Sequence, residues 1–198
     1  MISPDKKFIF IHIPKTAGTS IENALKDESC IYRRNQWGPF DAPLNHLTLN
    51  QIINSKLPSH INLNEYFKFA FIRNPWDKVI SECFCPHIQL IFKDCKTISE
   101  KIKKVCSLST TGYGGHCKNQ LAFINANLSM DFIGRFERLQ TDFKYICEQL
   151  TINWLELPTE NKSNRKKHYT EYYNDETKDI VEKSYAKDIE YFGYEFER

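Results

Sequence analysis

Apolar β-forming runs that alternate with segments of helical periodicity predict an α/β domain built on a central, mostly parallel sheet flanked by helices. Three observations carry this expectation. Phe8-Ile9-Phe10-Ile11-His12 and Phe67-Lys68-Phe69-Ala70-Phe71-Ile72 are short, bulky runs of the kind found in buried strands. Each is followed by a turn and then by apolar residues at helical spacing, so strand, loop and helix recur in that order. A chain of 198 residues has room for one substantial core but not for two full domains, which gives a single domain over residues 1–198.

Taken in order, the first strand leads through a Pro- and Gly-containing loop to a helix carrying Ile21, Ala24 and Leu25. Thr48-Leu49-Asn50-Gln51 has the form of a capping box, which places His46 just before a helix start. The second strand ends at Arg73-Asn74-Pro75, and Pro75 suits the first position of a helix with Trp76, Val79, Ile80 and Cys83 on one face. Residues 98–106 follow a helical pattern with a lysine-rich outer side. Thr110-Thr111-Gly112-Tyr113-Gly114-Gly115 has the composition of a loop or lid. A third strand is expected from Met130 to Phe136, then a helix carrying Leu139, Phe143, Ile146 and Leu150. One last helix carries Val181, Tyr185, Ile189 and Phe192.

Composition excludes several classes of function. With 27 Lys plus Arg against 25 Asp plus Glu, no broad basic surface is available for nucleic acid, so any anion site must be local. The first apolar run is too short for a signal sequence or a membrane span, which gives a cytoplasmic expectation. Seven cysteines, an odd number, then read as reduced thiols. Cys83, Cys85, His87, Cys95 and the pair His116-Cys117 lack the paired-knuckle spacing of a structural zinc site, so no metal is expected.

Two segments carry chemistry. His12-Ile13-Pro14-Lys15-Thr16-Ala17-Gly18-Thr19-Ser20 lies beyond the carboxyl end of a strand and at the start of a helix, where amide groups and the helix dipole favour an anion. Lys15 adds a full charge, Gly18 permits close approach, and Thr19 and Ser20 add hydroxyls. The lysine precedes the only glycine, so the Walker order is absent. By itself the segment is also compatible with a Pro/Gly turn bearing a solvated lysine. Arg73 stands at the second strand end and Ser81 follows eight residues later, a fork and a hydroxyl suited to a second anion. Arg73 could equally pair with Asp77. Two anion sites at strand ends call for a ligand with two separated anionic groups.

The strings Phe10 to Ser20 and Arg73-Asn74-Pro75-Trp76-Asp77 with Ser81 resemble the PAPS-dependent sulfotransferases, in particular the branch of heparan sulfate 2-O-sulfotransferase and small bacterial carbohydrate sulfotransferases. The similarity continues through Phe132-Ile133-Gly134-Arg135-Phe136-Glu137 and Asn161-Lys162-Ser163. The resemblance implies a P-loop-NTPase-like three-layer α/β sandwich and, as sulfuryl donor, 3′-phosphoadenosine 5′-phosphosulfate (PAPS). It assigns Lys15, Thr16, Gly18, Thr19 and Ser20 to the 5′-phosphosulfate and Arg73 and Ser81 to the 3′-phosphate. Lys162 and Ser163, in a basic run that includes Arg165, would fold over the nucleotide; the alternative is a solvated basic loop. The product would be adenosine 3′,5′-bisphosphate (PAP), and no metal is required.

Transfer to an alcohol needs a base and positive charge at the leaving oxygen. His46 is the candidate base, since a neutral imidazole suits the task near pH 7 and a capped helix holds it in place. In enzymes of this resemblance a histidine between the two nucleotide motifs has that role. Lys15 is the second catalytic candidate. His116 and Gln120 fall where similar enzymes contact acceptor or cofactor. The acceptor implied is a hydroxyl of a glycan or glycolipid, with Trp37-Gly38-Pro39-Phe40 and Tyr113-Gly114-Gly115-His116 as wall and lid segments. A P-loop kinase or NTPase would require a Walker lysine and an acidic Mg²⁺ ligand, and a non-catalytic nucleotide-binding module would lack a base.

Overall fold

The computed structural model of the chain describes residues 1–32, 44–59, 61–154, 156–157 and 165–197. In chain order its elements are β1 (Ile2–Ser3), β2 (Phe8–Ile11), α1 (Gly18–Leu25), α2 (Leu49–Ile53), β3 (Phe67–Ile72), α3 (Pro75–Cys83), α4 (Ile98–Ser107), α5 (Leu121–Ile124), β4 (Phe132–Arg135), α6 (Leu139–Gln149), α7 (Asp175–Ser184) and α8 (Ala186–Phe192). They divide into two compact units, Met1–Ile72 with Ala122–Asn161, and Arg73–Leu121 with Lys162–Arg198.

The first unit is built on a four-stranded sheet in the order β1-β2-β3-β4. β2, β3 and β4 run parallel, and β1 is antiparallel to β2. The apolar runs form these strands because both faces are covered: Phe8, Ile9, Phe10 and Ile11 are all fully buried. On one face Phe10 stacks on Phe69 with ring centroids 5.0 Å apart. That face packs against Ile21 and Leu25 of α1 and Phe143 and Ile146 of α6. β4 comes close enough to this core that a Cβ on Gly134 would stand 2.6 Å from the Phe71 ring. The expected α/β class, with a mostly parallel central sheet and flanking helices, is the fold observed. With the register Ile11↔Ala70, β3 extends two residues past the carboxyl end of β2.

The second unit packs α3, α4 and α7 around Val79, Ile80, Ile102, Val105 and Val181. Asn74 caps α3 by accepting from the Trp76 amide, and Pro75 opens the helix as its position predicts. The Thr48–Gln51 capping box is present on α2. All seven cysteines are free thiols. No helix among the described residues is long and apolar enough to cross a membrane.

Two elements depart from expectation. The final helix is two, α7 and α8, broken at Tyr185, whose backbone leaves the helical region (φ −115°, ψ 22°). Tyr185 is fully buried and its hydroxyl donates to the Cys117 carbonyl at 2.5 Å, a tertiary anchor that outweighs continuous periodicity. The third expected strand is shorter, Phe132–Arg135. The two-residue β1 is too brief to leave a periodic signal.

Gly134→Ala should destabilise the protein by about 1–3 kcal/mol, the usual cost of overpacking a filled core. Urea denaturation would show this as a lower midpoint with an unchanged slope.

Candidate active site

His12, directly after β2, organises the first anion segment. Its Nδ1 lies 2.9 Å from Glu22 Oε1 on α1, and both side chains are about 5% exposed. A carboxylate only accepts, so Nδ1–H donates and ties the strand end to the helix. The imidazole also explains Gly18 in a way the sequence does not show, because a Cβ there would stand 2.0 Å from the ring. Close approach at Gly18 is thus made by a side chain of the protein itself.

Between strand and helix the backbone is forced. Lys15 and Ala17 both have left-handed φ, 68° and 67°, unusual for residues with side chains. Ala17 stands at the N-cap and offers no side-chain cap, so the first-turn amides of α1 are not satisfied by a capping side chain. An uncapped helix start with Lys15, Thr19 and Ser20 around it is a cationic, donor-rich cradle suited to a phosphate-like anion. Thr16 is buried and its hydroxyl donates to the Ile13 carbonyl at 2.8 Å, which holds the loop's shape. Thr19 is half-buried and Ser20 buried.

His46 is brought to the same place. It ends a 3₁₀ turn, Leu44–His46, and its Nδ1 lies 3.0 Å from the His12 carbonyl, with the two rings edge to face at 4.5 Å. A carbonyl only accepts, so Nδ1 carries the proton and the neutral ring keeps its lone pair on Nε2. Asn45 Nδ2 faces that nitrogen at 3.4 Å. Asn45 Oδ1, beside it, is buried and has no hydrogen-bond partner among the described residues.

The second segment lies in the other unit. Arg73 Nε donates to Asp77 Oδ2 at 2.6 Å, so the pairing that the sequence left open is formed. Arg165 bonds the other oxygen of the same carboxylate. Burial pushes the Asp77 carboxyl up, but the Arg73 and Arg165 guanidiniums outweigh it and hold the group below the usual carboxylate range. Among the described residues, two guanidiniums thus share one carboxylate. Ser81, buried on α3, lies one turn beyond Asp77 on the same side of the helix. Lys162, Ser163 and residues 37–40 lie outside the described residues.

Of the residues weighed as metal ligands, Cys85 and His116 come together with Glu82, which the sequence reading did not single out. Glu82, Cys85 and His116 place potential ligand atoms within 4.8 Å of one another. Glu82 is already engaged there, by Lys78 Nζ at 3.3 Å, His116 Nδ1 at 2.7 Å and the Cys117 amide at 3.4 Å. These donors make the group a satisfied buried ion network. His116 enters it from a tight turn closed by the Tyr113↔His116 bridge.

Asp77 stays ionised in the fold at pH values where it would protonate in an unfolded chain. Its stabilisation is present above about pH 4, the ordinary carboxylate value, and is lost as pH falls through its lower folded value. Asp77→Asn should lower stability at pH 7 by on the order of 3 kcal/mol and flatten the acid limb of a stability–pH curve.

The sequence profile of the sulfotransferase family matches residues 1–195 of the chain. Curated proteins and solved structures give no match.

Proposed function

Because the chain belongs to the sulfotransferase family, we propose that it is a PAPS-dependent sulfotransferase acting on a hydroxyl of a carbohydrate or glycoconjugate, with His46 as base and residues 1–198 as one functional domain. The observation that carries this reading is the hydrogen bond from His46 Nδ1 to the His12 carbonyl. It fixes the tautomer whose basic nitrogen is Nε2 and holds the ring against the start of the first anion segment.

In this reading each unit supplies residues for one end of the donor. The uncapped start of α1 with Lys15, Gly18, Thr19 and Ser20 suits a 5′-phosphosulfate, with Thr16 shaping the loop. Arg73 and Ser81, with Arg165 sharing Asp77, suit a 3′-phosphate. PAPS would supply the sulfuryl group and leave as PAP. Lys162 and Ser163 complete the nucleotide set in this reading. The free thiols fit a reducing, cytoplasmic setting.

In the transfer, a bond forms between the acceptor oxygen and sulfur while the bond from sulfur to the bridging phosphate oxygen breaks. His46 Nε2 takes the hydroxyl proton, and the resulting imidazolium keeps its Nδ1–H on the His12 carbonyl. The new N–H on Nε2 would face Asn45 Nδ2, itself a donor, so Asn45 Oδ1, which has no hydrogen-bond partner among the described residues, would accept it only once the carboxamide turns over. Lys15 neutralises charge growing on the leaving oxygen and therefore acts mainly in the transition state. The protein needs no metal for any of these steps.

His46→Ala should lower turnover by about 10²–10⁴-fold, the range for loss of a general base, while PAP affinity stays within about twofold. Sulfur-labelled PAPS offered with glycans, glycolipids and simple alcohols measures the first, and calorimetry the second. Full activity of the alanine variant would remove His46 as the base, and loss of PAP binding would make it a structural residue.

A further inference from the structure

We propose that Gln120 and Asp188 are positioning residues for Arg73, forming a buried relay that sets where its guanidinium meets the 3′-phosphate; this rests on the reading of Arg73 given above. Arg73 is the first residue beyond β3. Its backbone N–H donates to Gln120 Oε1 at 2.9 Å, and its carbonyl accepts from Gln120 Nε2 at 2.8 Å. A carboxamide carries the same donor and acceptor as a peptide group, so one side chain replaces a whole strand partner at this residue.

Gln120 is held in turn. Its backbone N–H donates to Asp188 Oδ2 at 2.7 Å and that of Leu121 donates to Asp188 Oδ1 at 2.9 Å. Both Gln120 and Asp188 are fully buried. Burial pushes the Asp188 carboxyl above the usual range, with the two amides and Lys78 drawing it back. Placing a carboxylate there is expensive, and an apolar side chain would fill the same volume at lower cost. What an apolar residue could not do is fix the 120–121 backbone and, through Gln120, the peptide groups of Arg73.

The side chain of Arg73 is fixed independently by Asp77. With backbone and guanidinium both held, the fork is set before ligand arrives and little ordering remains to oppose binding. Asp188 lies on α8, so the relay gives the C-terminal helix a part in anion recognition. A second link from the same region supports it: Asn74, next to Arg73, donates from Nδ2 to the Glu195 carbonyl at 2.9 Å.

The test uses two near-isosteric variants of the full chain. Asp188→Asn turns an NH₂ toward a backbone N–H, and Gln120→Glu cannot donate to the Arg73 carbonyl. Calorimetry with PAP and with adenosine 5′-monophosphate should show PAP weakened about tenfold, the effect of one lost buried hydrogen bond, and the monophosphate changed less than about twofold. Equal weakening of both ligands, or of neither, in folded variants overturns the relay. An unmodified protein that binds the two ligands equally removes Arg73 as the 3′-phosphate group and the relay with it. Preference in the unmodified protein that persists in the variants removes the relay alone. A measurement without variants covers failure to fold: PAP, but not the monophosphate, should slow hydrogen exchange of the Arg73 amide, and equal slowing or none contradicts the proposal.

Discussion

The parallel pairing of β2 with β3 is the constraint on which the starting points of both functional segments depend. Its register places Phe10 beside Phe69 and Ile11 beside Ala70, so β2 and β3 run in the same direction and β3 ends two residues beyond β2. The first anion segment leaves from one of these ends and Arg73 follows directly on the other. A slip of one residue would turn the phenylalanine face away from α1 and α6 and leave it without its core. The stacked aromatic face therefore fixes the starting points of the functional segments while taking no part in their chemistry.

At those starting points, charges are arranged as small buried sets. His12 with Glu22, Arg73 and Arg165 with Asp77, and Lys78 and His116 with Glu82 each join residues from separated parts of a unit. Buried ion pairs of this kind contribute little net stability against apolar replacements. Their geometric effect is larger: each fixes one orientation of a side chain that would otherwise sample many. Among the described residues the set around Asp77 has two cations to one anion, and it includes Arg73, which is read as part of the 3′-phosphate site.

The fold was legible because it depends on local pattern. Phe67–Ile72 is a strand within its expected bounds, and Thr48 and Pro75 mark helix starts by their own chemistry. Where the motif residues fall, after β2 and β3 and at the starts of α1 and α3, was legible as well. What held them in place was not. Glu22 is ten positions from His12 and Asp188 is sixty-eight from Gln120, and neither separation carries a periodic signal. The break at Tyr185 was hidden for the same reason, since its partner is the carbonyl of Cys117. Gly18 was expected to admit a ligand closely, whereas the group packed against its Cα is the His12 ring, which the sequence does not reveal.

Recognition of a nucleotide with two separated anionic groups is the central claim, and thermal denaturation of the unmodified protein with PAP or with ADP tests it most directly. PAP carries the 3′-phosphate that Arg73 and Ser81 are assigned to hold, and ADP carries a second phosphate at the 5′ end instead. A midpoint raised well above the unliganded value by PAP, and far less by ADP at the same concentration, is the expected result. Equal shifts with the two nucleotides would contradict it.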